Sequence, residues 1–264
     1  MIKHLAAVIP AGGLQTRFRP ITADFPKSMV ALGNNRKPHL EYLLEHLIRA
    51  QIGKIIIATG FLSDVLERAF LPWQERGVEI LQDPPGLAPP GTGGAMKNVL
   101  KHIMKNPCRE KPIWDVLYWN PDTLIHRLDP VALYKEHNKK ENDATIVLTT
   151  DPKAPNFGAV KVTNGGTIEE FSEGVSPVEG SAHRYAHAGA GIFKIPALLE
   201  IFEQNFDGRE NFCLFRELLP SMVKSHHVSA YVVDGPFYEY GTAKSGVYDF
   251  LCQHPELVEQ AYKL

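Results

Sequence analysis

Short apolar runs alternate along this chain with stretches in which leucine and isoleucine return every three or four positions. The runs at 5–9, 54–58, 78–81, 116–119 and 144–149 have the length and composition of buried strands. Leu40, Leu43, Leu44, Leu47 and Ile48 mark one face of a helix over 39–50. Ser63 reads as the cap of a second helix reaching about 70, and a third is expected over 95–104. Between them, 83–94 is rich in proline and glycine and reads as a loop. Two runs, 159–163 and 167–171, flank Asn164-Gly165-Gly166 and predict a hairpin. Late strands are expected at 190–193 and 228–233, and the tail from Ala243 reads as helix. Strands alternating with helices imply an α/β fold, a mostly parallel Rossmann-like sheet flanked by helices.

Composition narrows the classes. With 264 residues, 44% of them hydrophobic, the chain suits one large domain with a substantial core. Its 28 Lys and Arg nearly balance 30 Asp and Glu. No basic face points to nucleic acid and no polybasic segment to an anionic membrane. No apolar stretch reaches the roughly 18 residues of a membrane span. The first residues read as a core strand rather than a signal peptide. Cys108, Cys213 and Cys252 are scattered without metal-ligand spacing, so reduced thiols and a cytoplasmic setting are expected.

Candidate chemistry begins where the first strand ends, in Ala11-Gly12-Gly13-Leu14-Gln15-Thr16-Arg17. Glycines allow close backbone approach, and successive N–H groups in such a turn form a concavity for anions. Arg17 adds a forked donor for phosphate oxygens, and Lys27 follows behind the rigid Phe25-Pro26 turn. Gly91-Thr92-Gly93-Gly94-Ala95 opens a helix, but a dinucleotide fingerprint would need glycine at Met96, and no P-loop string occurs. Asn120-Pro121-Asp122 ends a hydrophobic strand. Ligands of open α/β sheets collect at such carboxyl ends, so Asp122 is well placed to hold a metal.

The string from Gly12 to Lys27 resembles the signature loop of sugar-phosphate nucleotidyltransferases, GGxGTRLxPLT…PK. Gly12, Gly13, Thr16, Arg17, Pro20, Thr22, Pro26 and Lys27 match it, while Gln15 stands where the family has a third glycine. The resemblance continues in order along nearly the whole chain. Gly91, Thr92 and Gly93 fall on the element that holds the nucleoside, with Pro90 in place of leucine. Asp122 falls on the family's Mg²⁺-binding aspartate, with Pro121 for glycine, and Glu239 on its second one within Asp234 to Thr242. Gly158, Glu173 and His187 fall on sugar-pocket positions. Gly174 replaces a lysine that serves the sugar phosphate, and Lys161 is the nearest basic residue in sequence to stand in for it.

The resemblance implies a single nucleotidyltransferase domain over 1–264 with a GT-A-like fold. The nucleotide-binding part would cover about 1–125, the sugar-binding part about 126–242, and a C-terminal helix 243–264. It implies condensation of an NTP with a sugar 1-phosphate to give an NDP-sugar and pyrophosphate, with Mg²⁺ as cofactor and Arg17, Lys27 and Asp122 as catalytic residues. It also implies a homo-oligomer. The departures at Gln15, Pro121, Gly174 and Glu239 keep two other readings open: a non-catalytic nucleotide-sugar-binding homologue that regulates a partner, and a transferase for a non-sugar phosphate acceptor.

Overall fold

The computed structural model describes all residues except 1, 85–88, 108–111, 152–157, 173, 176–177, 179, 182–183 and 264. The chain begins with β1 (Ile2–Pro10), a small ribbon of β2 (Ala31–Leu32) and β3 (Lys37–Pro38), α1 (His39–Arg49) and β4 (Ile52–Thr59). There follow α2 (Ser63–Gln74), β5 (Val78–Gln82), α3 (Gly91–Lys105), β6 (Asp115–Trp119), β7 (Thr123–Ile125) and α4 (Pro130–Lys139). The second half holds β8 (Ala144–Thr149), β9 (Ala159–Val162), β10 (Ile168–Ser172), β11 (Tyr185–Lys194) and α5 (Ile195–Phe206). A wide π turn, Leu214–Leu218, then leads through α6 (Leu219–Ser225) to β12 (Val228–Val233), β13 (Phe237–Glu239), α7 (Val247–Gln253) and α8 (Glu256–Ala261).

Strands β6, β1, β4 and β5 lie side by side and parallel, so their carboxyl ends share one edge of the sheet. β11 enters antiparallel between β6 and β8, and β12 continues parallel to β8. The β9–β10 hairpin attaches to the first residues of β11. Pleating sorts the core: Leu5, Ala7 and Ile9 of β1 face one layer, Ala6 and Val8 the other. On the first layer α1 presents Leu40, Leu43, Leu44 and Leu47, all fully buried, each contributing about 1.5–3 kcal/mol by leaving water.

Several sequence expectations need correction. Ser63 does not cap α2; it is the first helical residue, and the cap position is Leu62 in a left-handed conformation with no side-chain cap bond. The third helix starts at Gly91, four residues before the expected 95, because Gly93 N–H bonds to Phe212 O at 2.9 Å and extends the first turn backwards. The tail is not one helix: a short 3₁₀ turn, Ala243–Ser245, precedes α7, and Pro255 separates α7 from α8. Helix α4 was not expected, although Asp129-Pro130 is a start signal. The Asp129 carboxylate accepts from Val131 N–H at 2.8 Å, with proline in the first turn.

Candidate active site

A cleft of about 1080 Å³ runs along the shared carboxyl edge of the parallel strands. The loop after β1 forms one wall. Ala11 N–H bonds to Ala58 O at 2.7 Å and Gly12 O accepts from Phe61 N–H at 3.2 Å, so the loop is sewn to the end of β4. Ala11, Gly12, Gly13, Thr16 and Arg17 all line the cleft. Arg17 is exposed to it and makes no ion pair among the described residues. Gln15 adopts the left-handed φ of 58° that glycine would accept more readily, and its Oε1 accepts from Lys27 N–H at 2.5 Å. That bond offsets the roughly 1–2 kcal/mol of conformational cost and ties the loop to Lys27.

Lys27, Asp122 and Glu239 meet on the cleft floor. Lys27 Nζ lies 2.5 Å from Asp122 Oδ2 across 95 positions of sequence. Glu239 arrives by a different route: β13 pairs antiparallel with β7, setting Glu239 opposite Thr123, and Tyr240 N–H bonds to Asp122 O at 3.2 Å. Burial pushes the Asp122 carboxyl up, but the Lys27 charge and hydrogen bonds from Lys27 and Glu239 outweigh it and hold it below the ordinary range. Glu239 goes the other way. Burial and the Asp122 charge push it up to about 8, so near neutrality it carries the proton shared with Asp122. A single cation does not neutralise the buried Asp122 and the part-buried Glu239 together, and the proton makes up the difference.

Behind the floor, His39 sits fully buried at the start of α1. Its Nδ1 lies 2.8 Å from Pro121 O and 2.7 Å from the Tyr240 hydroxyl, and its Nε2 lies 2.8 Å from the Tyr262 hydroxyl. This network clamps the residues flanking Asp122 and Glu239 to the last turn of the chain. Burial lowers the His39 pKa to about 4. The folded pKa lies below the unfolded value near 6.5, so stability is held in full above about pH 6.5 and falls as the pH drops toward 4. The loss is of the order of 3 kcal/mol. Urea midpoints between pH 7 and 4.5 should therefore fall further for the wild type than for His39→Gln; parallel profiles would refute this assignment.

Gly91 and Thr92 also line the cleft, at the start of α3. The Thr92 hydroxyl accepts from Leu214 N–H at 2.8 Å and so holds the π turn that closes this side. Gly93 does not face the cleft. It is buried, and a side chain there would strike the Phe212 ring, so the residue serves packing. Gly158 is likewise buried outside the cleft, where it enters β9 with a φ of 85°. Glu173 lies outside the described residues. His187 does line the cleft, stacked on Phe215 with ring centroids 4.3 Å apart. Lys161 does not take the place of the missing lysine. It pairs with Glu169 at 3.1 Å and Glu170 at 3.3 Å, away from the cleft.

Sequence reasoning missed Arg216, Lys244 and Asp83, which add charge to the cleft walls. Arg216 comes in on the π turn and Lys244 on the turn after Thr242. No motif marks either, and only the folded path brings them in. Among the described residues no cluster of three or more His, Cys, Asp or Glu side chains forms a metal centre by itself.

A family model described as nucleotidyl transferase matches residues 6–245. This chain belongs to that family. Among curated relatives of this nucleotidyl transferase, a mannose-1-phosphate guanyltransferase beta-A of Xenopus laevis is 27% identical over 265 residues, covering 98% of this chain and 67% of the relative. A D-glycero-alpha-D-manno-heptose 1-phosphate guanylyltransferase of Aneurinibacillus thermoaerophilus is 28% identical over 209 residues, with 78% and 85% coverage. This chain thus spans about two thirds of the first relative's length. The solved structure of HddC from Yersinia pseudotuberculosis, complexed with GMP-PN, aligns with a TM-score of 0.69 at 22% identity, covering 94% and 98% of the two chains. That likeness establishes the fold.

Proposed function

We propose that this protein joins the nucleotidyl group of an NTP, GTP before others, to a sugar 1-phosphate and releases pyrophosphate. The convergence of Lys27, Asp122 and Glu239 beneath a glycine loop carries the reading. The kinship with sugar 1-phosphate guanylyltransferases supports the substrates and the choice of base. In the reaction an oxygen of the sugar phosphate bonds to the α-phosphorus, and the α–β bridging bond breaks in line with it. The electron pair leaves with pyrophosphate.

Little covalent chemistry is asked of the protein, so placement and charge do the work. The backbone of Gly12 and Gly13 lets the phosphates approach closely, and Arg17 offsets the charge that gathers on the leaving pyrophosphate. Lys27 neutralises an oxygen at the reacting centre, and Gln15 holds the Lys27 backbone in place. His187, which also lines the cleft, would serve the acceptor. The donor set also fits Mg²⁺, which takes few oxygens from protein and the rest from phosphate and water. Asp122 and Glu239 would hold it, and Glu239 would give up its shared proton. When bound, the ion supplies a Lewis acid that draws charge from the phosphate oxygens.

A cytoplasmic, homo-oligomeric enzyme is part of this reading, supported by cysteine use and by the family resemblance. Among the described residues no helix is long and apolar enough to cross a membrane.

The test is pyrophosphate release with Mg²⁺, GTP and a panel of sugar 1-phosphates, with the other common NTPs in parallel. Release that requires one nucleotide–sugar pair is the expected result. No release with any pair, while a nucleotide-sugar still binds by calorimetry, would make this a binding homologue instead.

A further inference from the structure

The three hydrogen-bonding groups around the buried His39 ring come from three distant segments. Two of them belong to the cleft floor: Pro121 precedes Asp122, and Tyr240 follows Glu239. The third, Tyr262, closes α8 and lies 223 positions from His39 in sequence. It does not line the cleft, and it is 3% exposed.

Counting protons gives each contact a direction. A carbonyl oxygen offers only lone pairs, so the 2.8 Å contact with Pro121 O requires a proton on Nδ1. The Tyr240 oxygen shares that proton at 2.7 Å and sends its own O–H to Pro121 O at 3.0 Å. Burial keeps the ring neutral near pH 7, so Nε2 is bare and accepts the Tyr262 O–H. Burial also pushes the Tyr262 hydroxyl up, so it stays protonated and arrives as a donor. No other group hydrogen-bonds Nε2 among the described residues. Tyr262 is itself held in place: Arg49 donates to its carbonyl at 3.1 Å, and its ring stacks on Tyr42 with centroids 6.2 Å apart.

We infer that Tyr262 is a positioning residue for the cleft floor: its hydroxyl holds His39 where Nδ1–H reaches the Pro121 carbonyl, and so sets the backbone that aims Asp122. An imidazole that accepts at one nitrogen donates more strongly at the other, so the Tyr262 bond tightens the hold on Pro121 O. Without it Nε2 is a buried lone pair with no donor, and the ring relieves that by turning away from Pro121 O. The Asp122 carbonyl stays tied to Tyr240 N–H at 3.2 Å, so the Asp122 peptide then swings about this remaining tie. The carboxylate it carries is the one that meets Lys27. The kinetic consequence rests on the proposed reaction; the arrangement of protons does not.

Nitrogen-15 NMR of the full chain labelled at histidine tests the arrangement, with the His39 signals identified by their loss in His39→Gln. The wild-type ring should carry its proton on Nδ1 and leave Nε2 bare. Tyr262→Phe keeps the aromatic ring and removes the donor, and its His39 Nδ1–H resonance should move upfield as that hydrogen bond weakens. Its kcat with the best nucleotide–sugar pair, measured well below the melting transition, should fall about 10-fold, since misplacement on the 1 Å scale costs about 100-fold and this shift is smaller. GTP binding without Mg²⁺, followed by calorimetry, should not change. A wild-type ring protonated at Nε2 overturns the inference without any variant. A Tyr262→Phe protein that melts earlier yet turns over at the wild-type rate overturns it, because the hydroxyl then serves stability alone. Loss of GTP binding together with kcat overturns it as well, because the damage is then general. If the wild type turns over no pair, the proposed reaction fails, and an unmoved Nδ1–H resonance in Tyr262→Phe still overturns the inference separately.

Discussion

Asp122→Ala is expected to lower kcat/KM for nucleotidyl transfer by at least about 100-fold, a loss of about 2.7 kcal/mol of transition-state stabilisation. The substitution removes the one carboxylate that stays ionised on the cleft floor. It also releases Lys27 from its 2.5 Å ion pair. The fold should survive. Glu239 holds a proton largely because burial and Asp122 raise its pKa to about 8; with Asp122 gone it can ionise and take over part of the pairing with Lys27. Asp122→Asn keeps the shape and removes the charge, and it should lose a similar factor. Steady-state kinetics beside thermal melts decide the matter. Near-normal turnover in both variants would remove Asp122 from the reaction, and a large loss in alanine with little in asparagine would assign it a role in shape alone.

The second large effect belongs to a residue with no side chain. A Cβ at Gly241 would collide with Asp122 Oδ2 and Glu239 Oε1 and lie 2.7 Å from Lys27 Nζ. Gly241 does not adopt a positive φ, so alanine is allowed by the backbone and only the collision matters. Relieving it means pushing the three groups apart on the floor, and misplacement on the 1 Å scale costs about 100-fold in rate. Gly241→Ala should therefore lose about that factor, at a stability cost of about 1–3 kcal/mol from overpacking. Because it acts through the same carboxylate, adding it to Asp122→Ala should cost much less than its own single effect. Full additivity of the two losses in kcat/KM would show that Gly241 acts elsewhere.

How much of this was legible in the sequence differs from residue to residue. Strand β1 and the loop after it can be read directly, because a run of apolar side chains has to be buried and two glycines have to follow where the backbone is pressed against β4. Strand β12 matches its expected 228–233, for the same reason of local pattern. Helix α1 was equally plain from its leucine stripe. The limits of α3 were not: its first turn is set by Phe212 O, a partner more than a hundred residues away that no local propensity can reveal. The single tail helix failed on Pro255, whose ring and missing N–H break the ladder despite helical composition on both sides.

At the site, the sequence by itself determined which residue types are present, that Ala11 to Arg17 and Asp122 lie at the carboxyl ends of strands or just beyond them, and that Lys27 follows a rigid Phe25-Pro26 turn. It also exposed the substitutions at Gln15 and Gly174. Only the tertiary structure decided what those substitutions mean. Gln15 is accommodated because Lys27 N–H stands within reach of its side chain, whereas Lys161 is drawn off by Glu169 and Glu170 and does not restore the missing cation. The register of β13 on β7 brings Glu239 to Asp122, and the order of parallel strands sets Asp83 at the far end of the same edge. Local patterning fixes burial and periodicity, which depend on near neighbours. The spacing between charges from distant segments depends on strand order and register, and those are settled only when the whole core packs.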